Sequence, residues 1–164
     1  MNEKFLQKKI WHWRIKHGHK LVVPNSRLFY GESDVLSITK TDFAYTHEIK
    51  ISKSDFKAEF NGVNRCKWLW HDTLKKVFES KKYYAASAVQ VPNYYLFVCP
   101  DGLILPEEIP EYAGLVYWTN GDAPRLAQIV KPPRIHKEIV TQVQKDKLGV
   151  SLMWRYWTRC QALD

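Results

Sequence analysis

Apolar residues recur at helical spacing in some stretches of the chain and alternate with polar ones in others. Residues 3 to 17 carry the helical period. Phe5, Leu6, Ile10, Trp13 and His17 lie near one face, with Lys4, Lys8, Lys9 and Lys16 largely on the others. Gly18 is a C-terminal stop. Lys20-Leu21-Val22-Val23 predicts a first strand that ends at Pro24-Asn25, and a loop covers 27 to 33. Two alternating runs follow, Asp34 to Ile38 and Tyr45 to Ile51, around the polar connection Lys40-Thr41-Asp42. A turn centred on Thr41 sets Asp34 directly opposite Glu48, and the two-residue period puts Lys50 on the face of Glu48. A one-residue slip would separate them.

The later chain reads in the same way. Ser52 followed by Asp55 starts a helix that runs to about Phe60 and stops at Asn61-Gly62. Residues 65 to 82 are basic and aromatic at helical spacing, and Ala85 to Gln90 is a small-residue connection or short strand. Tyr94 to Cys99 is a continuous apolar run suited to a buried central strand. A turn at Pro100-Asp101-Gly102 and a helical turn at 106 to 110 come next. Strands at 114 to 119 and 125 to 130 flank the hairpin turn Asn120-Gly121-Asp122. Two terminal helices are expected, at 135 to 145 and 148 to 161. The order predicts an α/β fold with a mixed central sheet, α-β-β-β-α-β, followed by C-terminal helices. One domain spans 1 to 164, with a core over about 3 to 130 and a helical extension over about 133 to 161.

Composition narrows the function classes. The chain has 164 residues, 45% hydrophobic and 26% charged, which suits one globular domain with a real core. No apolar run is long enough to span a bilayer and the N-terminus is too polar for a signal peptide, so a cytoplasmic protein without membrane contact is expected. Cys66, Cys99 and Cys160 form no C-x-x-C pair, which argues against a zinc knuckle or a disulfide framework. His12 and His17 are badly spaced for a shared metal on one helix face. The net charge of +8 favours a polyanionic partner. On the last helix Trp154 and Trp157 stand three apart, a spacing that points to packing against the body. Arg155 and Arg159 interleave with them as in surfaces that stack unpaired bases.

Two carboxylates facing each other repel, and a hard divalent cation is the natural compensation. Asp34, a gap of thirteen residues, then Glu48-Ile49-Lys50 resembles the signature of the PD-(D/E)xK nuclease superfamily. Residues 51 to 57 and 92 to 104 resemble small bacterial and phage members, the MmcB-like DNA-repair endonucleases among them, and the likeness covers roughly residues 1 to 120. Ser33 stands where the superfamily's named motif has proline.

The resemblance implies a restriction-endonuclease-like core and magnesium-dependent hydrolysis of DNA phosphodiester bonds, with manganese as a substitute and a role in repair or recombination. Asp34 and Glu48 would hold the metal with the Ile49 carbonyl, and Glu3 is the one candidate for an extra ligand on the first helix. Lys50 would position or help deprotonate the attacking water. Lys8, Lys9, Lys53, Lys57, Arg65, Lys67 and His71 are the candidate nucleic-acid contacts, with His71 read as exposed. Members often form homodimers, and no sequence feature decides that here. RNA as substrate and a phage-encoded protein acting in a bacterial host stay open. So does a catalytically silent nucleic-acid-binding or protein-interaction module on the same fold.

Overall fold

The computed structural model describes residues 1–80 and 90–162. The chain runs α1 (Glu3–Lys16), β1 (His19–Ser26), β2 (Ser33–Thr39), β3 (Ala44–Ile49), α2 (Lys53–Ala58), α3 (Arg65–Glu79) and β4 (Tyr94–Pro100). A 3-10 turn (Pro106–Glu108), β5 (Ala113–Thr119), β6 (Arg125–Val130) and α4 (Gln142–Gln161) complete it. The fold is α/β, with the expected element order through β4.

Six strands form one sheet in chain order, β1 to β6. The first three pair antiparallel, β3, β4 and β5 pair parallel, and β6 returns antiparallel on β5. Both faces are covered. On one, Leu6 and Ile10 of α1 pack on Val35, Ile49, Leu96 and Val98. On the other, Phe56 of α2 and Trp70, Leu74 and Val77 of α3 pack on Leu36, Ile38, Tyr95 and Phe97. Coverage on both sides explains the unbroken apolar run of β4.

Local chemistry accounts for the boundaries. Asn2 and Ser52 cap α1 and α2 by accepting from Phe5 N and Asp55 N. Gly18, just past the end of α1, and Gly62, in the turn between α2 and α3, hold the left-handed backbone at φ 79° and 75°. Asp42 takes φ 65° in the β2–β3 turn, a conformation an Asp side chain tolerates.

Three expectations need correction. β1 does not stop at Pro24 but continues to Ser26, because it is an edge strand and the missing proline donor is tolerated there. No helix spans 135 to 145: residues 131 to 141 run without regular structure. Their backbone groups bond instead to the body, Ile135 N to Asn93 O at 2.8 Å and Val140 N to Asp42 O at 2.9 Å. The Asn93 side chain adds bonds from Nδ2 to the carbonyls of His136 and Glu138. The helical extension is therefore the single helix α4, which starts at Gln142 with Thr141 and Gln144 in a capping box. Finally, Trp154 and Trp157 do not pack inward; they are 64% and 56% exposed, while Leu148 and Leu152 carry the packing of α4. The segment read as a connection at 85 to 90 lies outside the described residues except for Gln90.

Candidate functional site

The β2–β3 ladder pairs Ile38 with Ala44, Leu36 with Thr46 and Val35 with His47. One step further, Asp34 faces Glu48, as the turn-centred register predicts. Both side chains lie on the sheet face covered by α2 and α3, with Phe97 of β4 beside Glu48 in the parallel ladder. Ile49 N donates to Asp34 Oδ2 at 2.6 Å, which fixes the aspartate at the strand end. In a strand a residue's N–H and C=O face the same neighbour, so the Ile49 carbonyl turns to the side of Asp34 as well.

Lys50 follows on the same face. It is only 1% exposed, and its Nζ donates to Glu48 Oε1 at 2.9 Å. It also donates to Glu59, the residue that ends α2, and lies 3.7 Å from Asp55. Glu59 lies outside the Asp34–Glu48–Lys50 motif, yet it is the hub of the site. Besides Lys50 it accepts from Lys67 Nζ at 2.5 Å and from His71 Nε2 at 3.0 Å. A carboxylate only accepts, so Nε2 of His71 carries the proton, and Nδ1 meets the Tyr112 hydroxyl at 2.7 Å. A signal for Glu59 was present. Glu59 and Phe60, in the turn that follows α2, stand three and four residues beyond the buried Phe56, so an acid between those two rings is an acid aimed at the core.

Electrostatics divide the three acids into two kinds. Burial raises the Asp34 carboxyl to about 6, with the Glu3 charge adding to it against the Ile49 N–H. Burial and the charge of Asp34 raise Glu48 to about 7 despite Lys50. Glu59 is opposite: burial would raise it, but its bonds to His71, Lys50 and Lys67 outweigh that and hold it at about 2. For Lys50, burial favours the neutral amine, and the charges of Glu48 and Glu59 overcome it, so its pKa sits above the ordinary lysine value. Lys50 is a fixed ammonium and Glu59 a fixed carboxylate, while Asp34 and Glu48 carry charge that the protein alone undercompensates.

That imbalance is the test of whether a metal fits. Among the described residues no group of three or more His, Cys, Asp and Glu side chains gathers as a metal site. The donor set here is smaller: two carboxylates and a main-chain carbonyl, all hard oxygens. It suits magnesium, which keeps several waters and takes few protein ligands. Glu3 stands close by, accepting from Gln7 Nε2 at 3.0 Å while that nitrogen also reaches the Asp34 carbonyl at 3.2 Å.

The other expected contacts are dispersed. Lys8, Lys57 and Arg65 are exposed. Lys9 lies over the rings of Phe5 and Trp118, 5.1 Å from each centroid. Lys53 bonds Glu108 and the Leu103 carbonyl, so its ammonium is tied to the turn before β5 rather than offered to a phosphate. Lys67 turns into the site, 3.5 Å from Glu48. His71 is buried, 5% exposed, not a surface histidine, because its ring stacks among Phe60, Tyr95 and Phe97.

No protein-family model matches the chain, and no curated protein matches it. A solved structure does: the SPO1766 protein of unknown function from Silicibacter pomeroyi, with a TM-score of 0.53 at 18% identity, over 91% of this chain and 82% of that one. The similarity is one of fold. Among the described residues no helix is long and apolar enough to cross a membrane.

Proposed function

We propose that the protein is a metal-dependent nuclease of the PD-(D/E)xK type, hydrolysing phosphodiester bonds in DNA. The observation that carries this reading is the register that sets Asp34 opposite Glu48 with Lys50 on the same face. Asp34, Glu48 and the Ile49 carbonyl would hold the magnesium ion. When bound, magnesium supplies Lewis acidity that activates water and neutralises the scissile phosphate.

The chain's own residues supply the rest. Lys50, an ammonium donor to Glu48 and Glu59, would stabilise charge developing on the phosphate oxygens and orient the attacking water. Glu59, itself held by Lys67 and His71, positions the Lys50 ammonium. The net charge of +8 favours a polyanionic substrate through counterion release.

The test is a panel of labelled duplex, branched and single-stranded DNA and matching RNA, incubated with magnesium or manganese. The expected result is cleavage by wild type that disappears in Asp34→Ala, Glu48→Ala and Lys50→Ala. Equal cleavage by all four proteins, or none by wild type on any substrate, removes the nuclease reading.

A further inference from the structure

A groove of about 240 Å³ opens between α1 and the edge strand β1, lined by Lys4, Gln7, Lys8, Trp11, Val22, Pro24 and Val35. Lys4, Lys8 and Trp11 recur at i, i+4 and i+7, so one stripe of α1 presents two ammonium groups and an indole along it. All three are exposed, Trp11 at 46%. The opposite wall is apolar strand surface, Val22 and Pro24. The Gln7 end of the groove abuts the main chain of the strand end that bears Asp34, on the sheet face opposite the Asp34 and Glu48 carboxyls. Gln7 Nε2 bridges Asn25 Oδ1 at 2.8 Å and the Asp34 carbonyl at 3.2 Å, joining groove floor and metal-binding strand end in one side chain. At the same end, Arg155 Nη1 donates to the carbonyls of Pro24 and Asn25 at 2.8 and 3.2 Å. That contact fastens α4 there and carries its exposed Trp154 and Tyr156 alongside.

The geometry points to this groove as the seat of an unpaired nucleic-acid strand that reaches the Asp34–Glu48 site only by passing round the strand end at Asn25 and Asp34, with a base stacked on Trp11 and phosphates beside Lys4 and Lys8. The assignment deepens and rests on the nuclease reading of the Asp34–Glu48 site. The occupant follows from the lining. Lysines alone would suit any polyanion, but a half-exposed indole between apolar strand residues and ammonium groups favours an anionic ligand that also offers a free flat face. A duplex keeps its base faces stacked internally and offers phosphates only. A continuous apolar groove without charges would suit a peptide, and this one carries lysines on its rim.

Binding separates from catalysis when chelator replaces magnesium. Fluorescence anisotropy then compares a labelled oligothymidine, the matching oligouridine and a duplex of equal length. Wild type is expected to bind one or both single strands more tightly than the duplex, and whichever binds names the natural source. Trp11→Ala lowers single-strand affinity about tenfold and leaves duplex affinity unchanged. Trp11→Phe keeps most of the affinity. Lys8→Ala weakens both ligands and reduces the salt slope by about one. If Trp11→Ala fails to fold, Trp11→Leu keeps an apolar side chain without the ring and carries the same expectation. Duplex binding as tight as single-strand binding, or a Trp11→Leu protein that binds single strands like wild type, overturns the assignment. Absence of cleavage by wild type with magnesium, alongside Trp11-dependent binding, sinks the nuclease reading and upholds the groove.

Discussion

Lys50 and Glu59 meet as a buried ion pair, one from the end of β3 and the other from the end of α2. Their contact locks α2 against the strand ends and fixes an ammonium group beside the two carboxylates read as metal ligands. Removing the Glu59 charge leaves the buried Lys50 ammonium with the Glu48 bond at 2.9 Å as its one close partner, and part of its charge uncompensated. Glu59→Gln should therefore cost about 3 kcal/mol of stability, seen as a lower melting temperature. Manganese binding should persist, because Asp34 and Glu48 remain, while the cleavage rate falls as Lys50 loses its anchor. An unchanged rate would remove Glu59 from the positioning role.

Metal affinity divides the site by role. Calorimetric titration with manganese should show binding in wild type and in Lys50→Ala, and none in Asp34→Ala or Glu48→Ala. In metal-free protein Lys50→Ala should be the least stable of the three, because it removes the buried ammonium and leaves Glu48 and Glu59 with only the partly exposed Lys67 between them. Binding retained in the Asp34 and Glu48 variants would move the metal elsewhere.

The pH dependence follows from the raised carboxyls. Asp34 at about 6 and Glu48 at about 7 bind protons more tightly folded than unfolded. Their contribution is full below the ordinary carboxylate range and is lost as pH rises through 6 and 7. His19 and His136, both lowered by burial first, act oppositely, gaining stability as pH rises toward the ordinary histidine value. The two effects separate in a comparison of wild type with Glu48→Gln. The variant's advantage should grow between about pH 4.5 and 7, level off above that at about 3 kcal/mol, and shrink when manganese is added to wild type. Thermal melts across pH read it directly. An advantage that is flat with pH contradicts a raised Glu48.

Asn93 holds the segment between β6 and α4. Its Oδ1 accepts from Ala44 N at 2.8 Å, and its Nδ2 donates to two carbonyls of that segment. Asn93→Ala should cost about 3 kcal/mol, since buried backbone groups lose their partners. Hydrogen exchange should rise at Ala44, Ile135 and Val140, and exchange confined to Ala44 would show that the segment is held by its apolar contacts alone.

Gly114 sits in β5 where a Cβ would lie 2.7 Å from the backbone nitrogen of Pro132 and 2.8 Å from its Cδ. Neither atom can swing away, so Gly114→Ala should destabilise by about 1 to 3 kcal/mol in urea unfolding. A neutral substitution would mean that residues 131 to 133 shift freely.

The register of β2 on β3 was legible because both runs alternate and the turn between them is short. Asp34, Glu48 and Lys50 followed from counting. The strands at β4, β5 and β6 were legible from apolar runs bounded by Pro, Gly and Asn. What escaped depends on contacts distant in sequence. Residues 135 to 141 read as part of a helix, yet Ile135, Ile139, Val140 and Thr141 are β-branched, and Asn93 and Asp42 take the backbone groups instead. His71 reads as polar on a basic helix, and only Glu59 and Tyr112 make it a buried residue. Trp154 and Trp157 look like core by type, but α4 meets the body through Leu148 and Leu152.

Because spatial order along the sheet repeats chain order, most strand pairings close over short separations. The exception is β3 with β4, which joins Ile49 to Val98 across α2, α3 and the intervening residues. Pairing that distant in sequence is the slow part of forming a mixed sheet. It also places Phe97 beside Glu48 and lets Lys50 N donate to Val98 O at 2.9 Å. Arrival of β4 is thus the folding event that withdraws the site's charges from water. Its barrier rises when Glu48 is ionised, so refolding of the metal-free chain slows as pH climbs from about 4.5 to 7 and levels off above that.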